Sequence, residues 1–109
     1  MITIVNLRTT RNCTRVDRST VLGNPYHMGQ DQSETKRNLV CDLYAAYCWD
    51  AYNRDAAYRA AIDELVKQYV CGVPLVLGCW CAPKRCHAES IRDLVITLAN
   101  AYANDNHGA

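Results

Sequence analysis

The chain has 109 residues and a formal net charge of +1, with 12 Lys and Arg set against 11 Asp and Glu. That length suits one α/β domain with a modest core, and the balanced charge argues against an overall field that would draw nucleic acid or an acidic partner. No run approaches the ~20 apolar residues of a spanning helix, and Met1 to Val5 lacks the charged start and long apolar core of a signal peptide, so a soluble intracellular protein without a membrane partner is expected.

Ile2, Ile4, Val5 and Leu7 are β-rich and read as a first strand, placed within a sheet because it is short. Arg8, Arg11, Arg15 and Arg18 then recur among Thr, Asn and Asp. This is a loop, with room for a short strand around Thr14 to Asp17. Its arginines either sit in solvent or take up a phosphate or carboxylate, since a guanidinium offers paired donors. Ser19 to Gly29 follows, punctuated by Gly23-Asn24-Pro25. Pro25 fixes its own φ and holds Asn24 extended, so the segment is a defined loop.

Asp31, with Glu34 three residues on, is expected to cap a helix. That helix runs to about Trp49 or Tyr52, with Val40, Leu43, Tyr44, Tyr47, Cys48 and Ala51 forming one buried face. Asn53 to Asp55 interrupts it. A second helix carries Tyr58, Ala61, Ile62, Leu65, Val66 and Tyr69 inward, and Gly72 provides its left-handed stop. Val73, Leu75, Val76 and Leu77 then read as a buried parallel strand. A last amphipathic helix carries Ile91, Leu94, Val95, Leu98, Ala99 and Tyr102, with a fraying tail over 103–109 that includes His107.

The improbable stretch lies between that strand and the last helix, where Cys79, Cys81, Cys86 and His87 fall within nine positions. In open α/β sheets ligands bind at the carboxyl ends of the strands, and a thiol near a helix N-terminus is biased toward thiolate. One of Cys79, Cys81 or Cys86 is therefore a candidate nucleophile, with His87 as base or orienting donor and Asp17, Asp31 or Glu89 as the acids that could reach it. Thiolate and imidazole are also zinc ligands. Four donors so crowded fit one ion poorly, so zinc is the less favoured reading and any cofactor stays unassigned. A third alternative is plain packing of the cluster under the Pro83 turn. Of the other cysteines, Cys41, Cys48 and Cys71 lie in helical patterns and are expected to be buried, while Cys13 is expected to be exposed.

Arg18-Ser19, Gly23-Asn24-Pro25 and the run Gly78-Cys-Trp-Cys-Ala-Pro-x2-Cys-His87 together resemble an uncharacterised domain family common in bacteriophages and prophages, domain-of-unknown-function family 4326. This chain has Tyr26 and Ala88 where the family commonly has Phe and Gly. The resemblance implies a pocket assembled from two distant loops, with Arg18, Ser19, Gly23, Asn24 and Pro25 binding a ligand and Cys79, Cys81, Cys86 and His87 supplying reactivity. A similar strand end in another uncharacterised Rossmann-like family suggests a nucleotide or nucleobase-like ligand.

The expected fold is a small, mostly parallel, Rossmann-like sheet flanked by about three helices. The expected protein is a phage-type accessory factor in the host cytoplasm, with a small-molecule ligand and little support for nucleic acid. The alternative is a non-enzymatic phage protein that grips a host protein, the cluster serving as a structural or zinc-stabilised knuckle. Whether it is an enzyme stays open.

Overall fold

The computed structural model describes the backbone of residues 1–108 and the side chains through Ala103. In chain order the elements are β1 (Ile2–Asn6), β2 (Thr14–Arg15), α1 (Glu34–Arg54), α2 (Ala56–Val70), β3 (Leu75–Cys79) and α3 (Ala88–Gly108). The three strands form one sheet in the order β1-β3-β2, and both pairings are parallel. This is the expected small α/β fold. β1 lies within the sheet as expected, at one edge, and β3 is the central strand. A parallel pair must be joined by a crossover, and α1 and α2 make up most of the one that returns the chain to β3.

Strand alternation fixes where the core sits. Leu75, Leu77 and Cys79 point to one face and are fully buried, whereas Val76, on the other face, is only partly covered. The apolar run therefore marks one covered face rather than two. Tyr44, Tyr58, Ile62, Ile91, Leu94 and Val95 complete the core beneath it. Tyr44 is buried with its hydroxyl satisfied, donating to the Leu22 carbonyl at 2.8 Å and lying 2.6 Å from the Tyr58 hydroxyl. That pair ties α1 to α2 and to the loop before α1 without leaving a buried polar atom unpaired.

Several local expectations are corrected. Ser33 caps α1, its hydroxyl accepting from the Lys36 N–H at 3.2 Å. Asp31 instead folds the preceding turn by accepting from the Ser33 N–H, because a carboxylate two residues before an N–H closes an Asx turn as readily as a cap. α1 runs on to Arg54, and Asp55 both ends it and caps α2 through bonds to Ala57 and Tyr58. Leu43, Val73 and Tyr102, expected inside, are exposed. Cys41 and Cys48 are buried as expected, but Cys71 is exposed, because it occupies the C-cap of α2 just before Gly72 turns the chain at φ 82°. Cys13, expected outside, is half-buried. α3 continues as helix through most of the segment expected to fray, and the side chain of His107 lies outside the described residues.

Gly78 makes the strand order feasible. The link from β1 to β2 crosses the end of β3, with Leu7 N–H bonded to the Cys79 carbonyl and Val16 N–H to that of Gly78. A Cβ on Gly78 would run into the Cys13 sulfur and come within 2.7 Å of Leu7 Cδ2. Gly78→Ala is therefore expected to destabilise the fold by about 1–3 kcal/mol, the usual cost of overpacking. Denaturant unfolding checks this, and an unchanged midpoint would contradict the crossing.

Candidate functional site

All three strands are parallel, so Asn6, Arg15 and Cys79 mark the same edge of the sheet, and the site is built there. Asn6 pins the cysteine loop to the end of β1, its amide donating to the Ala82 carbonyl at 2.8 Å and to that of Trp80 at 3.3 Å. Beyond β2, Asp17 is buried and collects three donors: Arg15 at 2.6 Å, Ser19 Oγ at 2.6 Å and Trp80 Nε1 at 2.8 Å. These bonds, with that to Arg15 the strongest, hold its carboxyl well below the usual range against the opposing effect of burial. Trp80 is thus fixed at its nitrogen end, while the Arg15 guanidinium lies 5.9 Å from its ring centre.

The Gly-Asn-Pro loop closes the other side. A Cβ on Gly23 would meet the Arg18 Cα at 2.5 Å, so only glycine lets the loop press against the end of β2. Asn24 is buried, donates to the Val40 carbonyl of α1 at 3.2 Å and accepts from the Tyr26 N–H at 2.9 Å. Arg18 donates to the Asn24 carbonyl at 3.1 Å and to that of Tyr26 at 3.4 Å. Both side chains hold the loop onto the sheet edge and α1.

Between loop and cluster lies a cavity of about 340 Å³. Arg18 and Asn24 line it, as do Cys79, Cys81, Cys86 and His87, so the structure brings together residues from the two distant motifs. Ser19, Gly23 and Pro25 are not among the lining residues; Ser19 is bonded to Asp17, and Gly23 is spent on close approach.

The chemistry centres on three thiols. The neighbouring Cys79 and Cys81, together with burial, push the Cys86 thiol far up. Cys81 is lowered to about 6, first by the Cys86 bond and then by Arg37, with Arg18 adding a smaller attraction. Cys79 is lowered to about 7, again chiefly by Cys86, helped by the backbone N–H groups of Cys81 and Ala82. Of the two, Cys81 is the more readily ionised, because it is the less buried and has Arg37 beside it. The expected thiolate bias at the start of α3 is corrected for Cys86. Although its sulfur accepts from the Ala88 N–H at 3.5 Å, the neighbouring Cys79 and Cys81 and burial keep its proton on.

His87 is 8% exposed and its Nε2 bonds the Val16 carbonyl, which accepts only. Nε2 therefore carries the hydrogen, and Nδ1, 3.5 Å from the Cys86 sulfur, is free to accept. Burial lowers its pKa, so it stays neutral. No acid orients it. Asp31 is taken up by the Ser33 N–H, Glu89 accepts from the Cys86 N–H at 3.3 Å, and Asp17 is taken up by Trp80, Ser19 and Arg15. A Cys-His-acid triad is thus absent among the described residues, and His87 supports Cys86.

Sequence reasoning missed Arg37 and, as more than a spare acid, Asp17. Arg37 is only 9% exposed and lines the cavity, with one guanidinium bond to the Arg85 carbonyl at 3.3 Å. A signal for it existed, since Arg37, Val40, Cys41, Tyr44, Cys48 and Ala51 share one buried stripe of α1. A cation on an apolar stripe needs a partner or a purpose. Among the described residues, no group of three Cys, His, Asp or Glu side chains is arranged to hold a metal ion, and no helix is long and apolar enough to cross a membrane.

A family model described as Domain of unknown function (DUF4326) matches residues 5–97. No curated protein and no solved structure matches the chain.

Proposed function

Because the chain belongs to the Domain of unknown function (DUF4326) family, whose name assigns no activity, we propose a function from the site itself: the domain binds a small nucleotide-derived ligand beside a reactive Cys81 thiolate. The observation that carries this reading is the convergence of Cys81, Arg37 and Arg18 on one cavity at the carboxyl ends of parallel strands. Such an edge is where α/β sheets receive ligands, and the volume falls at the small end of ligand pockets. Tyr26 and Trp80 flank it and offer flat faces to a planar ring. Arg37 offers a guanidinium to a phosphate.

Cys81 is the nucleophile in this reading, and Cys86 is the thiol that stabilises it by sharing a proton. Addition of the thiolate to an electrophilic ring carbon forms a carbon–sulfur bond and passes the displaced electron pair to a ring atom. The proton that this atom needs comes from water, since Cys86 holds its own proton strongly. The wider setting, a phage accessory protein acting in the host cytoplasm, rests on the family resemblance and forms part of the proposal.

Calorimetric titration with the four ribonucleoside 5′-monophosphates tests the binding step. At least one is expected to bind and to protect Cys81 from iodoacetamide. Silence with all four would overturn the reading.

A second reading has one observation in its favour. Trp80 is 46% and Tyr26 36% exposed at the mouth of the cavity, and such residues anchor protein interfaces. A protein that grips a host partner through this rim would keep its grip in Cys81→Ser, whereas ligand chemistry would be lost.

A further inference from the structure

The cavity does not end at Cys81. A second one, of about 410 Å³, adjoins it, and Met28, Arg37, Trp80 and Cys81 line both. The two differ in charge. The first holds the ionised Asp17, and two of its arginines are engaged, Arg18 by the loop carbonyls and Arg85 by Asp42 at 2.7 Å. The second is lined by Arg8, Arg37 and Lys84, with no carboxylate among its lining residues. None of these three cations is paired with a carboxylate among the described residues. Arg37 is the independent sign that the arrangement is built for a ligand: a nearly buried guanidinium faces both cavities at their junction, with Cys81 as its acidic neighbour. One thiolate against three cations leaves the second cavity with a net positive lining, which favours an anion.

We infer that the second cavity is a polyphosphate subsite, so that the ligand is a nucleoside di- or triphosphate whose base lies in the first cavity and whose phosphate chain runs past Arg37 toward Arg8 and Lys84. This rests on the nucleotide reading above and sharpens it. The ionised Asp17 repels phosphate from the first cavity, while the rim rings suit the base. Charge-assisted bonds from two further cations strengthen the hold on each added phosphate.

The test compares the four ribonucleosides as mono- and triphosphates by calorimetry, with tripolyphosphate as the probe lacking a base. A triphosphate is expected to bind roughly tenfold more tightly than the monophosphate of the same base. Arg8 and Lys84 are exposed, so the double variant Arg8→Ala, Lys84→Ala is expected to fold normally by circular dichroism. It should lose the triphosphate advantage while keeping its monophosphate affinity. Equal affinity for mono- and triphosphates in the unaltered protein overturns the subsite and leaves the nucleotide reading standing. Tripolyphosphate binding as tightly as any triphosphate supports the anion subsite and overturns the base-binding half of the reading. Absence of binding by every probe overturns both.

Discussion

Iodoacetamide is expected to label Cys81 ahead of the other six cysteines at pH 6.5, with a rate that titrates near pH 6. The reagent reports thiolate, and the cause of the early titration is separable by mutation. Cys86 contributes most and Arg37 next, so Cys86→Ala should move the titration upward, into the range of an ordinary thiol. At pH 7 the labelling rate would then fall by roughly three- to tenfold, less than the loss of thiolate alone, because a more basic sulfur is also more nucleophilic. Cys86→Ser keeps a donor in the same place and should restore most of the rate. Arg37→Met should give a smaller upward shift, since it removes the charge but leaves the bond from Cys86. Cys71, exposed at the far end of α2, serves as the internal reference in every sample. A Cys81 rate that ignores Cys86→Ala would mean that the thiols do not share a proton, and the nucleophile assigned here would fall with it.

The two motifs announced the site because their residues are chemically unusual and locally dense, and parallel pairing then dictated that Cys79 and Arg15 end at the same sheet edge. The helices were legible for a different reason. Buried positions such as Tyr44, Cys48, Ile62 and Val95 recur at helical spacing, whatever lies opposite them.

What escaped notice depended on partners distant in the chain. Asp17 is 63 residues from Trp80, and Arg37 is 48 from Arg85, so neither bond leaves a trace in local spacing. The assignment among Cys79, Cys81 and Cys86 escaped for the same reason. Which thiol keeps its proton is decided by burial and by the groups around each sulfur, and these are properties of the folded loop. Leu43 was misplaced because α1 turns its Arg37 stripe inward, at the expense of a more apolar neighbour.

Asp17→Ala is expected to cost about 1–3 kcal/mol, the second large effect. The buried carboxylate satisfies Trp80 Nε1 and Ser19 Oγ as well as the Arg15 guanidinium, and its removal leaves three donors without their acceptor at a partly exposed sheet edge. The effect should depend on pH in a defined direction. The folded carboxyl titrates below the unfolded one, so its contribution is complete above about pH 4, the ordinary aspartate range. It fades as pH falls further, because the unfolded chain then binds the proton more readily. Denaturant unfolding at pH 7 should therefore separate the parent protein from Asp17→Asn clearly, and at pH 3 the gap should narrow. A gap of the same size at both values would show that Asp17 acts by shape rather than charge. In the narrowing case, Trp80 is held over the cavity mouth by an ionised carboxylate. Protonating that carboxylate would then loosen the wall shared by both cavities before the rest of the fold gives way.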